Sequence, residues 1–431
     1  MIPSIEDIPT VHAAAVFTGM DSAVFREDGD VAPVRIPKLD LEFMPWGNDN
    51  AKPYRIMELI EADETMQTCL MWNSQMCYGS GLAYDTGNCP ADVARDVDDW
   101  LLDNSLPSYF LGVCQDLKHF AFAVTVLILS NDRKRIARIV RKEACYCRFC
   151  VADSQGVIDK VLYANWRDMV EPEKVEVIPL LDEARPWQDL QERVKGGQEV
   201  KFAMVTRLPG ADHTYYPTPY YASLFKGSWY LIKRLIGLAK VAKLKNSAPI
   251  KYHVEISDKY WDRIFKREGI TDRVKQQERI VREKQQILDF LTGAENSGKT
   301  WFSCFYVTPD KNVCHDVMIT KIDSDTKEGG DWSTDIQEAV NMICFTMQVH
   351  SNLVGSVPGK AQSNNSGSDK RELYTIAQAL QKPYHDLLFL PHRIIARFNG
   401  WKGVRIDVPF IQLTTLDMNR DAQSVSMTKS E

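Results

Sequence analysis

The chain has 431 residues, with 52 Lys and Arg against 58 Asp and Glu, a net charge of −6. Its hydrophobic (44%) and charged (26%) fractions are those of an ordinary globular protein, long enough for two or three domains with real cores. The acidic balance argues against a sequence-reading nucleic-acid binder with a uniformly basic surface. It leaves open a conduit through which DNA slides, where strong phosphate contacts would act as a brake.

Ten cysteines are scattered without even spacing, and the start, Met1-Ile-Pro-Ser-Ile-Glu-Asp7, has neither a basic n-region nor an apolar h-region. Free thiols in a reducing cytoplasm are expected. The longest apolar runs, Phe120–Leu129 and Ser228–Ala242, are too short or too interrupted by Lys and Arg to span a bilayer.

Residues 1–40 read as an irregular, Pro-rich, acidic arm. Trp46-Gly-Asn-Asp-Asn50 with Pro53 reads as a turn into a helix, Tyr54–Cys77, that ends at Tyr78-Gly-Ser-Gly81. Helical stretches follow at Pro90–Leu102 and Tyr109–His119. The pattern then turns to strands at Val124–Leu129, Ile136–Val140, Ala144–Val151 and Val157–Ala164, so this region is α+β. Six prolines cut residues 165–220 into short pieces.

A long helix is predicted over Ala222–Lys245, roughly 35 Å at ~1.5 Å per residue. Lys226, Lys233 and Lys240 recur along it every seven residues, and no acidic residue occurs from Ala222 to Lys251. These lysines either face a phosphate-bearing or acidic partner, or are simply solvated. Next come a strand (Tyr252–Ile256), helices at Lys259–Arg267 and Asp272–Leu291, and strands at Trp301–Val307 and Val313–Ile322. Gly329-Gly330 closes this module.

A helix over Ser333–Gln348 places Ile336, Val340, Ile343, Cys344 and Met347 on one face. After it, Ser351–Glu372 is an unusually long stretch of Gly, Ser, Asn and Pro. The next helix, with Asp369 as N-cap and Glu372 at N3, places Leu373, Ile376, Ala377, Leu380 and Tyr384 on one face. Pro383 and Pro391 are expected to kink or break it. Thr414–Glu431 is polar and expected to fray.

Two motifs suggest chemistry. Gly293-Ala-Glu-Asn-Ser-Gly-Lys299-Thr300 fits the phosphate-binding pattern of a P-loop nucleotide hydrolase, with Lys299 and Thr300 in the working positions. Its context, helix before and strand after, is the reverse of what that loop requires. Cys145, Cys147 and Cys150 have a spacing that can offer three thiolates to zinc, or that can place small apolar thiols along a strand. The eight histidines form no metal-binding spacing, and nothing nominates a catalytic nucleophile.

Taken in order, these pieces resemble tailed-phage portal proteins, the head-to-tail connectors. Trp46–Asn50 with Pro53 and Tyr78–Gly81 resemble the N-terminal region of one portal group. Tyr215-Tyr-Pro-Thr-Pro-Tyr220 resembles the entry to a first stem helix. Glu328-Gly-Gly-Asp-Trp332 and Asn365-Ser-Gly-Ser-Asp-Lys-Arg-Glu372 resemble the second stem helix and the exit of a tunnel loop. The likeness covers most of Phe43–Asp417.

The resemblance implies an α+β, portal-like fold. Residues 1–220 would be a wing, 221–248 a first stem helix, and 249–328 a small α/β clip. Residues 329–350 would be a second stem helix, 351–368 the tunnel loop, 369–400 a kinked helix returning to the wing, and 401–431 a C-terminal wing or short crown. It further implies a dodecameric ring in the virion, assembled in the host cytoplasm, that passes double-stranded DNA. The ring would dock the terminase large subunit, head-completion or tail adaptors, and major capsid or scaffolding protein. Neither enzymatic activity, cofactor nor membrane is implied. In the loop, Leu353, Val354 and Val357 would line the bore or pack between neighbouring loops, and Lys360, Asn364 and Asn365 would meet phosphates. In the stem, Lys226, Lys233 and Lys240 would face DNA or a neighbouring subunit.

Overall fold

A computed structural model describes residues 31–167, 170–210, 215–246, 252–292, 305–307, 313–321, 332–354 and 367–413. The chain divides into one unit of residues 1–237 with 332–431 and a second of residues 238–331. The class is α+β, with small sheets, as the sequence implies.

The first unit begins with a hairpin of β1 (Val34–Ile36) and β2 (Leu41–Phe43). Helices α1 (Lys52–Glu61) and α2 (Glu64–Tyr78) follow, then β3 (Ala83–Asp85), α3 (Ala91–Asp103) and α4 (Leu106–Phe120). Next come β4 (Phe122–Leu129), β5 (Ile136–Lys142), β6 (Cys147–Phe149), β7 (Lys160–Tyr163), β8 (Glu176–Pro179), α5 (Pro186–Gly196) and β9 (Lys201–Arg207). Helix α6 (Ala222–Lys226) leads to α7 (Trp229–Asn246), within which the division between units falls.

Strand β4 explains why the core is double. It is the centre of the antiparallel sheet β5-β4-β9. Its alternate residues enter two different apolar clusters, because successive side chains of a strand point to opposite faces. Phe122, Val124 and Val126 join the cluster shared with β6, β7, β8, α1, α2 and α6. Ala123, Leu127 and Leu129 join the one shared with α3 and α4. A strand covered on both faces reads as the continuous apolar run seen in Phe122–Leu129.

The second unit holds β10 (Tyr252–Ile256), α8 (Asp258–Glu268), α9 (Arg273–Thr292), β11 (Phe305–Val307), β12 (Val313–His315) and β13 (Val317–Lys321). β10 pairs antiparallel with β13, and β11 with β12. Trp261, Ile264, Ile287 and Val317 are its buried apolar side chains among the described residues. Arg279 ties α9 to α8 through Glu268 (3.0 Å), and its neighbour Glu283 (2.6 Å) accepts from Tyr260 of α8. The strand expected over Val313–Ile322 is interrupted at Asp316, which is 4% exposed and paired with Arg263.

The chain then re-enters the first unit through α10 (Trp332–Thr346), α11 (Ser351–Val354), α12 (Gly367–Ala379), α13 (Lys382–Phe398) and β14 (Arg405–Asp407), which pairs antiparallel with β3.

Other boundaries differ from the sequence reading, each for a local reason. Tyr54–Cys77 is two helices: buried Asp63 caps α2 by accepting from the Met66 N–H at 2.9 Å. Ala222–Lys245 breaks at Gly227-Ser228, where Gly227 is extended. Ala144–Tyr146 is a 3₁₀ turn ahead of β6, and Val157–Ala164 narrows to β7. Asp369 lies inside the first turn of α12, where its charge suits the helix dipole, rather than at its cap.

The motif at Trp46 is a structural knot. Trp46, 1% exposed, stacks on Tyr216 at 4.7 Å between ring centres. Its N–H donates to Asn50 Oδ1 at 3.0 Å. Gly47, at φ +80°, is required, because a Cβ there would lie 2.8 Å from Lys52 Cβ. Arg148, wholly buried, donates to Asn50 Oδ1 and to the carbonyls of Asn50 (2.8 Å), Cys145 (3.0 Å) and Cys147 (2.8 Å), with no carboxylate partner among the described residues.

Candidate functional site

Helix α2 is the platform for the elements on both sides of the Gly/Ser/Asn-rich stretch. α10, α11 and α12 all pack on it. α10 buries Val340, Ile343 and Cys344, with Met347 just beyond its end and Ile336 partly covered, which is the face its periodicity predicts. Cys344 Sγ lies 3.9 Å from Cys69 Sγ of α2.

The end of α10 is fixed in detail. Gln348 takes φ 57°, a left-handed conformation usually left to glycine. The Val349 N–H returns to Cys344 O and the Gln348 N–H to Phe345 O, both at 3.0 Å, while Val349 is buried. This closes the helix as a Schellman motif with its hydrophobic contact. Asn73 of α2 clamps the same turn by donating to Met347 O at 2.8 Å and to Tyr220 Oη at 2.9 Å. The chain therefore leaves α10 in one direction, into the single turn α11.

On the far side, α12 turns Leu373, Tyr374, Ala377 and Gln378 partly inward and leaves Ile376 (56%) and Leu380 (62%) exposed. The expected face, with Ile376 and Leu380 inside, is rotated. Gln378 sets the rotation: its amide donates to Ile411 O (2.8 Å) and accepts from the Ile411 N–H (3.0 Å). The break before Pro383 falls at Gln381, and Pro391 sits inside α13.

The three lysines do not form one row. Lys226 is exposed at the end of α6, beyond the break, and Lys240 is half-buried in α7. Lys233 is bonded within its own chain: Nζ lies 2.7 Å from Asp63 Oδ2 and 3.2 Å from Glu64 Oε2. It neutralises the buried cap of α2, which removes it from the lysines free to meet a phosphate. Tyr230 adds a bond to Leu59 O at 2.8 Å, so the start of α7 is fastened to the α1–α2 junction. Replacing Lys233 by Met should lower stability by about 2 kcal/mol, since Asp63 would be left buried with only its cap bond. The same change at Lys240 should be silent, and paired urea titrations distinguish the two positions.

Leu353 is half-buried in α11, and Val354 closes that turn. Val357, Lys360, Asn364 and Asn365 lie outside the described residues, as does Gly293–Thr300. What precedes the latter is α9 and the next described element is β11, so the order stays helix before strand.

Cys145, Cys147 and Cys150 are all buried, and burial pushes their thiols up, Cys145 and Cys150 to about 11. Among the described residues, no three His, Cys, Asp or Glu side chains come together as a metal site. Also among them, no helix is long and apolar enough to cross a membrane.

Buried ionisable groups are features the sequence did not mark. Asp116 (3% exposed) takes a two-pronged bond from Arg141, both distances 2.7 Å, and burial raises it to about 6 despite that partner. Lys118 (3% exposed) has its ammonium 3.0 Å from the centre of the Tyr384 ring, and burial lowers it to about 8. His392 is wholly buried with Nδ1 2.7 Å from Tyr84 Oη. These groups are sealed inside the first unit. Lys118 and His392 tie α13 to α4 and to Tyr84 of β3, and Asp116 ties α4 to β5.

No family model and no curated protein matches the sequence. Solved structures do match, and over the whole chain. A chain of the virion of a native gene transfer agent particle aligns over 98% of this chain and 96% of its own, with a TM-score of 0.55 at 12% identity. A chain from the neck of the native particle, computed with C12 symmetry, covers 93% of this chain and 92% of its own at a TM-score of 0.52 and 12% identity. One from the neck of the empty particle, computed with C6 symmetry, gives 0.52 over 94% of each chain at 13% identity. End to end, the chain has the fold of a subunit in the neck of these virion particles.

Proposed function

We propose that this protein is a portal-type head-to-tail connector subunit: copies close into a ring, of twelve, at one vertex of a phage-like capsid, and double-stranded DNA passes through it. The observation that carries this reading is the end-to-end likeness to virion and neck chains, two of them from reconstructions with C12 and C6 symmetry. A ring with a cyclic operator uses two different faces of each subunit, so apolar surface left exposed on one chain finds cover on the next. Phe345 (77%), Ile376 (56%) and Leu380 (62%), on the helices that flank the 355–366 segment, are such surface.

On this reading the 351–368 segment constricts the channel, with Leu353, Val354 and Val357 lining the bore or packing between neighbouring loops and Lys360, Asn364 and Asn365 touching phosphates without reading bases. Residues 249–328, within the second unit, are the clip that docks the terminase large subunit and later the tail adaptors, and the capsid or scaffolding protein meets the wing. The protein acts as a channel and not as a catalyst, and it works without cofactor. Native mass spectrometry of the purified full chain tests the assembly: a species of twelve chains is expected, and only monomer or a twofold dimer at every concentration and salt would contradict it.

A further inference from the structure

Outside the channel elements, the first unit carries a cleft of about 680 Å³ between α13 and the β14 segment. Its rim holds Lys382, Arg393, Arg397, Lys402 and Arg405 against Asp386 and Asp407. Lys382 pairs with Asp386, and Arg397 stacks on Trp187 at 4.6 Å. Arg393, Lys402 and Arg405 form no ion pair among the described residues, so an excess of three positive charges faces the cleft, in a protein whose net charge is −6. Its floor is apolar and stiff: Phe389 is 4% exposed and Trp401 5%, the latter tied through its indole N–H to Asp96 at 2.6 Å.

We propose that this cleft is a docking site for an acidic, extended peptide with a regular apolar stripe, and that its occupant is the chain's own segment Met1–Val11. That segment carries Glu6 and Asp7 with no Lys or Arg. Ile2, Ile5, Ile8 and Val11 recur in it every third residue, with Pro3 and Pro9 between them. A three-residue period is that of a polyproline II helix, so one apolar edge meets the floor while the carboxylates meet the rim. Duplex DNA would satisfy the charge but offers no apolar side chains to the half-buried Val404 and Ile406 that also line the cleft. The residues between Val11 and Val31 span up to ~65 Å when extended, which gives the tethered segment a high local concentration at its own cleft. The inference does not depend on ring formation.

The test uses the full chain with a benzophenone photo-cross-linker in place of Ile5. Irradiation is expected to join it to residues 382–407 of the same chain, at the mass of one chain. Charge reversal of both Arg393 and Arg405 to Glu should cut the yield at least tenfold. In the unreversed chain, raising salt from 0.05 to 0.5 M should cut it severalfold, as expected for exposed charges. Adducts mainly elsewhere, adducts mainly between two chains, or a yield indifferent to both charge reversal and salt would each overturn the proposal.

Discussion

Deleting Val357–Ser363 is expected to leave ring assembly intact and to abolish stable packaging of DNA. The reason assembly should survive is local. α10 is ended by its own Schellman turn and by Asn73, and α12 is held by Gln378 against Ile411, so neither flanking helix relies on the deleted residues for its seat. α11 already packs against α12. The five residues left between Val354 and Gly367 can span ~16 Å, enough to rejoin elements in contact. Packaging should fail because, in the function proposed above, this segment constricts the channel, and without it DNA that enters would not be retained. DNA per particle, measured beside the ring mass, checks both halves. Normal DNA content would remove the segment from the channel, and loss of the ring would make it a structural strap.

The second large effect is on acid stability and rests on His392. The Tyr84 hydroxyl, whose own ionisation burial pushes far up, stays protonated and shares a hydrogen bond with Nδ1. Nε2 is buried without a hydrogen-bond partner among the described residues, so a charged ring would hold an unpaired buried N–H. Burial lowers His392 from 6.5 to about 3. Between those values the unfolded chain binds one proton more than the folded one, so folding loses stability as pH falls. The loss amounts to about 1.4 kcal/mol per pH unit, or about 3 kcal/mol between pH 6.5 and 4.5. His392→Gln keeps an acceptor for Tyr84 and removes the titration. Denaturant unfolding of the two proteins across this range should show wild type losing stability more steeply, by the equivalent of one proton. Parallel slopes would mean that His392 is protonated in the folded protein.

The parts of the fold that were legible in the sequence are those where one chain supplies both sides of a contact. The face of α10 is given by Val340, Ile343, Cys344 and Met347 because α2 covers it, and β4 announces itself as an unbroken apolar run because both its faces are covered. The reading failed where a single side chain overrides periodicity. Asp63 starts a new helix inside an uninterrupted helical pattern, and its buried charge recruits Lys233 from 170 residues away. Nothing local marks that pair, so a lysine on a heptad looked like surface. Gln378 rotates α12 by a pair of bonds to Ile411, which no pattern within the helix reveals. Arg148 gave no sign of becoming the wholly buried centre of the Trp46 knot, because three of its bonds go to backbone carbonyls, which every residue has, and one to Asn50 98 residues away.

The candidate site was legible in another way. A long Gly/Ser/Asn stretch between two helices marked the segment, and the structure fixes how the chain enters and leaves it: a left-handed Gln348, a single turn at Ser351–Val354, and a helix that resumes at Gly367. Among the described residues, nothing covers Phe345, Ile376 or Leu380.

Electron microscopy of the purified full-length protein, with rotational symmetry determined from end-on class averages, addresses the central claim most directly. Closed rings of twelve subunits are expected around an open channel wide enough for duplex DNA, about 20 Å, lined in part by residues of the 351–368 segment. Monomers, twofold dimers, or rings whose central hole is closed by the globular units would contradict it.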